Sequence, residues 1–356
     1  MPRIRKLNLA LILATAITLL LGCAERGKHP PIIHAVGSTP PPPRPAETVL
    51  RLGTANLWGV SILSFDWAAD IDERFAAMAE RLSANPQALD VVVIQEAWKG
   101  SARQALLQAP GVVRNFPYRV DSLEEPGGAG LVVLSRFPIE AAHFHRFDAQ
   151  GNCLKFWEGD CLSGKGVLLV RLRVHGRSLW IADTHLIACY ASDDAPETAC
   201  DQRDPNGHAR ANQILETREM IETLVGDEPV LLGGDLNFTR TSRYYRMMTN
   251  PKIPHEPSNE KGSESDTTPL RGWSEPGEES VAPNRLDYLW TRSGRDMRWH
   301  AIQPVRPIFT EPVRLRSGKH VALSDHPILM GAFCLTRVDD AENHCLRLDG
   351  DLQSKR

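Results

Sequence analysis

What this sequence lacks first is an excess of charge: 41 basic residues stand against 44 acidic ones, for a formal charge of −3. Non-specific nucleic-acid binding needs clustered cations to neutralise phosphates, and no basic tract of that density occurs outside the N-terminus. No internal repeat is present, which excludes solenoids and arrays. No CxxC pair is present either, so the sequence carries no compact thiol-based metal or redox motif. The apolar run Leu7 to Leu21 has 15 residues, short of the roughly 20 that a membrane-spanning helix needs. With 356 residues, 42% hydrophobic and 24% charged, and with 26 Gly and 26 Pro, a collagen-like chain, a disordered tail and a polytopic membrane protein are excluded. One large globular domain or two ordinary ones remain.

The N-terminus reads as an address. Arg3, Arg5 and Lys6 precede the apolar run, and "LLGC" closes it at Cys23. That tetrapeptide resembles a bacterial lipobox, which implies loss of residues 1–22 and acylation of the Cys23 thiol; an ordinary signal peptide or short anchor is the alternative. Removing three cations leaves 38 basic against 44 acidic residues, or −6. Residues 23–47, with "TPPPPRP" at 39–45, are then a Pro-rich linker expected to hold the domain off a membrane as an extended spacer. The location expected is the cell envelope, lipid-anchored, on the periplasmic or extracellular face.

Cysteine usage agrees with export. Besides Cys23, six cysteines fall into close pairs: Cys153 with Cys161, Cys189 with Cys200, and Cys334 with Cys345. Six cysteines allow about fifteen connectivities, and an oxidising compartment favours bridges over thiols. Local pairing is the expectation, each loop adding roughly 2–3 kcal/mol. Buried free thiols or a metal cluster form the alternative.

From Val49 onward, short apolar runs alternate with a few amphipathic helices. Strands are predicted at 49–56, 90–96, 130–135, 167–174, 178–186, 229–237, 285–290 and 326–333. Helical spacing places Ile71, Phe75, Met78, Ala79 and Leu82 on one face over 70–82. It places Ala211, Ile214, Leu215, Ile221 and Leu224 together over 208–225. Arg210 and Gln213, one turn apart on the latter helix, are expected on a solvated face, with support of the site from behind as the alternative. The Pro-, Ser-, Glu- and Gly-rich stretch 251–284 reads as a surface insertion. With no second linker, 48–356 is predicted to be one α/β domain.

The polar residues at the strand ends point to chemistry. Six of the eight predicted strands begin or end in groups that bind a hard cation or a phosphate: Asn56, Glu96, Asp183 with His185, Asp235 with Asn237, Asp287, and Asp325 with His326. Carboxylate, amide and imidazole together are what oxygen-ligated Mg²⁺ catalysis requires.

Taken in order, "TANLWG", "VVIQEAW", "GAGLVVLSRFPI", "ADTHL", "LLGGDLNFT", "NRLDYLW" and "LSDHPIL" resemble the signature segments of the endonuclease/exonuclease/phosphatase superfamily. Within it the chain is most similar to the neutral sphingomyelinase branch. The resemblance covers about residues 49–335. It implies a four-layered α/β sandwich of deoxyribonuclease or sphingomyelinase type, with two packed mixed β-sheets flanked by helices. It also implies Mg²⁺, or another divalent cation such as Mn²⁺, as cofactor. By this resemblance Glu96 matches the principal metal carboxylate and Asn56 a metal-proximal amide. His326 matches the catalytic base, Asp287 the carboxylate that orients it, and Asp325 a residue beside metal and phosphate. His185 matches the histidine that contacts phosphate oxygens, and Asp235 and Asn237 the pair that positions water and phosphate. Asp183 is expected to be structural, and His143, His145 and His208 ordinary surface or core histidines.

The segment "GDCLSGKG" (159–166) matches G-x-x-x-x-G-K, but Gly166 replaces the Ser or Thr that would hold Mg²⁺, and a strand follows where a nucleotide-binding loop needs a helix. The sphingomyelinase branch has a similar segment, which implies that Asp160 and Lys165 form a mobile substrate-binding loop whose Lys meets the substrate phosphate; a disulfide-bounded surface hairpin between Cys153 and Cys161, with Lys165 solvated, is the alternative. Superfamily members cut DNA, RNA, inositol phosphates and sphingolipids, so the core residues leave the substrate open. The lipobox-like signal, the acidic chain and the apolar segment Leu57–Trp67 favour a sphingolipid membrane as partner and a sphingomyelinase C activity giving ceramide and phosphocholine. Leu57–Trp67 is equally consistent with core packing. A surface nuclease or phosphatase, and a non-catalytic lipoprotein that binds lipid or a partner, are the alternatives. A monomer is expected.

Overall fold

The run Val91–Val92–Val93–Ile94 is buried along its whole length, as a β-branched stretch with no polar face must be, and this requires packed layers on both sides of its sheet. The computed structural model describes residues 32–35, 49–62, 65–85, 87–122, 129–151, 164–189, 206–249, 273–276 and 285–338. In chain order the strands are β1 (Ile32–Ala35), β2 (Val49–Asn56), β3 (Ser61–Ile62), β4 (Phe65–Asp66), β5 (Val91–Gln95), β6 (Tyr118–Asp121), β7 (Val132–Ser135) and β8 (Ile139–Arg146). They continue with β9 (Gly166–Val174), β10 (Arg177–His185), β11 (Val230–Asp235), β12 (Asp287–Arg292), β13 (Met297–Ile308), β14 (Val313–Arg314), β15 (His320–Val321) and β16 (Ile328–Arg337). The helices are α1 (Ile71–Ala84), α2 (Gly100–Gln108), α3 (Pro110–Asn115), α4 (Gly207–Val225) and α5 (Arg243–Thr249).

Two mixed sheets form the body, one of seven strands in the order β1-β6-β7-β5-β2-β16-β13 and one of five in the order β12-β11-β10-β9-β8. The period of two along each strand divides its side chains between layers. Val91 and Val93 pack inward with Leu50, Leu52, Val170, Ile181, Leu231 and Leu289 between the sheets. Val92 and Ile94 pack outward against Phe75, Met78, Leu82 and Leu106 of α1 and α2. On the other side, Leu169, Trp180, Leu232 and Trp290 pack against Ile214, Ile221 and Tyr244 of α4 and α5. Helix, sheet, sheet, helix is the four-layered α/β sandwich that the resemblance implies.

Several departures have identifiable causes. β13 lies in a stretch whose Arg and Pro residues hide its strand character. It is an edge strand of its sheet, where Pro304 and Pro307 remove no ladder bond from a second neighbour, and its register against β16 shifts twice. β1 falls inside the predicted linker, yet it pairs antiparallel with β6 and covers that edge. Of the predicted surface insertion, 251–284, the described residues 273–276 are tied to the body. Trp273 is buried, Ser274 and Thr291 exchange backbone hydrogen bonds, and the carboxylate of Glu275 pairs with Arg285 and Arg240. On α4, Arg210 and Gln213 are buried rather than solvated, because they satisfy backbone groups after β10. Arg210 Nε donates to the Ile187 carbonyl at 2.9 Å, and Gln213 Oε1 accepts the Ile187 N–H at 2.7 Å. Leu224, predicted on the apolar face, is exposed, and Val225 is buried in its place.

Residues 1–22, Cys23, Cys153, Asp160, Cys161, Cys200 and Cys345 lie outside the described residues. Among the described residues no helix is long and apolar enough to cross a membrane.

Candidate active site

Strand direction gathers the site. β2 runs parallel to β5, and β10 parallel to β11, while β16 and β12 run antiparallel to β2 and β11. The last residues of β2, β5, β10 and β11 therefore meet the first of β12 and β16 along one edge of the sandwich. Register fixes the pairing: Asn56 is opposite Gln95, and His185, Asp235 and Asp287 lie side by side across three strands. The backbone here is held in an uncommon region, with φ of 48° at Trp58, 57° at Glu96 and 51° at Asn237. Such conformations persist only where the surroundings over-determine them. One determinant is Gly59, whose N–H donates to the Glu96 carbonyl at 2.9 Å. A Cβ there would lie 2.4 Å from that oxygen.

Asn56 is the bridge of the cluster. Its Nδ2 donates to Glu96 Oε1 at 3.0 Å and to Asp235 Oδ2 at 2.9 Å, and its Oδ1 accepts the Trp58 N–H at 2.9 Å. Its amide thus aligns two carboxylates, while its oxygen is engaged by the backbone. His185 Nε2 lies 3.5 Å from Asp235 Oδ2 and 3.7 Å from Glu96 Oε1. Lys165, buried just before β9, places Nζ 2.8 Å from the same ring nitrogen. Asp160, its proposed partner at the phosphate, lies outside the described residues. His326 Nδ1 is 2.8 Å from Asp287 Oδ2, and its Nε2 is 3.8 Å from Asp235 Oδ2. A carboxylate only accepts, so Nδ1 carries a proton and Nε2 is the nitrogen turned toward Asp235. Asn237 is buried and donates its amide to the Leu186 carbonyl at 2.9 Å, and its own N–H donates to Asp235 Oδ1. Asp325 is exposed and accepts the Ser324 hydroxyl at 3.1 Å.

The charges follow from burial. Burial pushes the Glu96 carboxyl up to about 7, against the pull of Lys165 and of the Asn56 hydrogen bond. Burial holds the His185 imidazole well below its ordinary range, and Lys165 and His326 add to the effect, so the ring is neutral. Burial alone would lower His326 as well, but Asp235, Asp287 and Asp325 outweigh it and raise the imidazole to about 11. Asp287, wholly buried, is raised to about 6 in spite of the histidine beside it.

The residues fit a hard divalent cation. Glu96 Oε2 and Asp287 Oδ1 are buried with no hydrogen-bond partner. Ligand atoms of Glu96, His185 and Asp235, and likewise of Asp235, Asp287 and His326, lie within 4.8 Å of one another. A carboxylate that burial pushes toward neutrality, with an oxygen left over, is satisfied by a cation. Asp235, read from sequence as a residue for water and phosphate, is common to both groups.

Two contributors were not singled out from sequence. Trp98, two residues after Glu96 in "QEAW", lies 5.6 Å ring to ring from His185, with Lys165 Nζ 5.4 Å from its centroid. Gln95 links the sheets: it accepts from Thr54 at 3.3 Å and donates to Asp183 Oδ1 at 2.6 Å. Asp183 is therefore a buried inter-sheet tie, two residues from His185. In the apolar segment after Asn56, Leu57 is core while Trp67 is 54% exposed.

The model for the Endonuclease/Exonuclease/phosphatase family matches residues 53–326. A putative neutral sphingomyelinase of Drosophila melanogaster is 26% identical over 318 residues, covering 86% of this chain and 67% of that protein. A sphingomyelinase C of Leptospira interrogans is 30% identical over 187 residues, covering 46% of this chain and 31% of that protein. The crystal structure of SmcL superposes with a TM-score of 0.56 at 20% identity, covering 80% of this chain and 99% of the other, which is a likeness of fold.

Proposed function

The chain belongs to the Endonuclease/Exonuclease/phosphatase family and is a hydrolase of phosphoric esters, and we propose that it is a divalent-metal-dependent phosphodiesterase acting on sphingomyelin to give ceramide and phosphocholine. The observation that carries the reading is the joining of a base pair to a cation site: His326, held by Asp287 at 2.8 Å, shares Asp235 with Glu96 and His185. The similarity to sphingomyelinases, over 86% of this chain for the Drosophila protein, supports the substrate.

The roles follow from the geometry. Glu96 and Asp235 would hold the cation, which when bound would neutralise charge on the phosphoryl oxygens and lower the proton affinity of His326. His326 Nε2 takes the proton of the attacking water, and Asp287 fixes the tautomer and stabilises the imidazolium. The water oxygen bonds to phosphorus in line as the phosphorus–oxygen bond to ceramide breaks; the ceramide oxygen takes a proton from solvent, and His326 returns the proton of the attacking water to solvent. Neutral His185 and the ammonium of Lys165 are donors for the phosphate oxygens. Asn56 aligns the carboxylates, and Asn237 shapes the adjoining loop through Leu186.

We also propose that the chain is a lipid-anchored envelope protein acylated at Cys23, on the strength of "LLGC". Local disulfides Cys189–Cys200 and Cys334–Cys345 are part of the same reading. The proposed partners, Cys200 and Cys345, lie outside the described residues.

The test follows phosphocholine release from sphingomyelin and from phosphatidylcholine vesicles, with Mg²⁺ and with EDTA, beside a plasmid-nicking control. Mg²⁺-dependent release from sphingomyelin is expected. Nicked plasmid with no lipid turnover overturns the substrate, and release that persists in EDTA overturns the metal dependence.

A further inference from the structure

Two loops carry the two halves of the site, one following β2 with Asn56 and one preceding β16 with Asp325 and His326. Among the described residues, nothing in the catalytic set joins their backbones. The guanidinium of Arg74 does. Arg74 lies on the first turns of α1 and is 3% exposed. Its Nη1 donates to the Leu57 carbonyl at 2.6 Å and to the Leu323 carbonyl at 3.3 Å, and its Nη2 donates to the Trp58 carbonyl at 2.8 Å. Its Nε donates to the Ala69 carbonyl at 2.9 Å, and its Cζ lies 5.0 Å from the centre of the Trp58 ring. One side chain thus satisfies four carbonyls from three segments, in a place where unpaired backbone groups would be costly.

We propose that Arg74 is a positioning residue for hydrolysis, which sets the Asn56 loop and the Asp325–His326 loop at a fixed separation. The connection on one side is continuous. Arg74 fixes the Trp58 carbonyl, the Trp58 N–H fixes Asn56 Oδ1 at 2.9 Å, and the Asn56 amide thereby points at Glu96 and Asp235. On the other side Leu323 leads into Ser324, whose hydroxyl oxygen accepts the His326 N–H at 3.2 Å. The strained φ of 48° at Trp58 is held from its two ends by these bonds. The fork of the guanidinium is what the job needs, since an ammonium on the same helix is a single point and cannot serve both loops in one geometry. No contact of Arg74 with the reacting atoms is required.

This inference rests on the reading of the site as a phosphodiesterase, so the test carries a readout independent of turnover. Arg74→Lys and Arg74→Ala are compared with wild type in three measurements. These are kcat and KM on sphingomyelin vesicles and on the soluble diester bis-p-nitrophenyl phosphate, Mg²⁺ affinity by titration calorimetry of the metal-free protein, and thermal melting. Loss of an outer partner of a metal carboxylate typically costs about 10–100-fold in affinity or activity, and a displacement near 1 Å can cost about 100-fold. The expected result is a fall of about 10–100-fold in kcat, little change in KM on the soluble diester, and Mg²⁺ binding weakened about tenfold or more. Millimolar guanidinium should restore part of the Arg74→Ala activity, and ammonium should not. Should Arg74→Ala fail to fold, Arg74→Lys decides the matter, because it keeps the aliphatic stem and one charge. A folded Arg74→Lys with wild-type kcat and wild-type Mg²⁺ affinity overturns the proposal, as does a loss of rate that only tracks the unfolded fraction. A wild type silent on sphingomyelin but active on the soluble diester overturns the substrate reading while leaving the Arg74 comparison intact. If both substrates are silent, the phosphodiesterase reading fails and Mg²⁺ affinity alone decides on Arg74.

Discussion

Replacing Glu96 by Gln should make the metal-free protein more stable while abolishing most of its activity. Burial raises this carboxyl from the ordinary 4.5 to about 7 in the folded chain. The folded state therefore holds on to a proton that the unfolded state has released, and stability falls as pH rises from about 4.5 to about 7. At about 1.4 kcal/mol per pH unit, the penalty for carrying the charge above that window is about 3 kcal/mol. Glutamine removes the charge and keeps an oxygen for the Asn56 amide. Its NH₂ replaces Oε2, an atom without a partner, and that buried donor costs about 1 kcal/mol in return. A net gain of about 2 kcal/mol at pH 8 corresponds to a melting point higher by roughly 4 °C in a domain of this size. The assay is thermal unfolding by circular dichroism in EDTA at pH 5 and pH 8, repeated with Mg²⁺. Wild type should lose stability between the two pH values relative to the variant and should regain it with Mg²⁺, which binds the folded state only. The variant should keep the pH response that Asp287 and His326 contribute to both proteins, lack the Glu96 component and the Mg²⁺-induced rise, and show a kcat lower by several orders of magnitude. Equal pH dependence in the two proteins, or an equal Mg²⁺-induced rise, would refute both the burial argument and the assignment of the metal.

His326→Ala should lower kcat by roughly 10²–10⁴-fold with the fold intact, as expected for removal of a general base, and turnover near wild type would take His326 out of that role. In Asp287→Asn the imidazole loses one of the three carboxylates that hold it protonated. Its titration in metal-free protein, followed by NMR, should move to lower pH while kcat drops, and an unmoved titration would sever the pair. Lys165→Met keeps the buried stem but removes the ammonium beside His185; kcat/KM for the diester should fall by about 100-fold, comparable to the loss of a positioned oxyanion donor, and a change below threefold would place Lys165 outside the phosphate contacts.

The extent to which the sequence determined the molecule varies from one residue to another. Val91–Ile94 could only be a central strand, because an unbroken β-branched run has no face to offer water. The polar residues that end such runs had to lie at strand termini for the same reason. That is why Asn56, Glu96, His185, Asp235, Asp287 and His326 were all legible as candidates before any geometry was known. Helix α1 was equally legible from Ile71, Phe75, Met78 and Leu82, whose spacing matches 3.6 residues per turn. β13 was not, since Pro304 and Pro307 obscure a strand that survives only by lying at an edge.

Arg210 and Gln213 look like solvated polar residues in sequence and are buried, as is Arg74. Their partners are backbone carbonyls and N–H groups of distant loops, and a backbone group has no signature in the sequence. The convergence of the site also belongs to the tertiary structure. Asn56 and Asp235 are 179 positions apart, and only the parallel runs of β2 with β5 and of β10 with β11, in two sheets packed face to face, bring them within a hydrogen bond. Local patterning therefore determined which residues were free to do chemistry. The packing of the two sheets decided which of them lie close enough to hold a cation together and which share a proton.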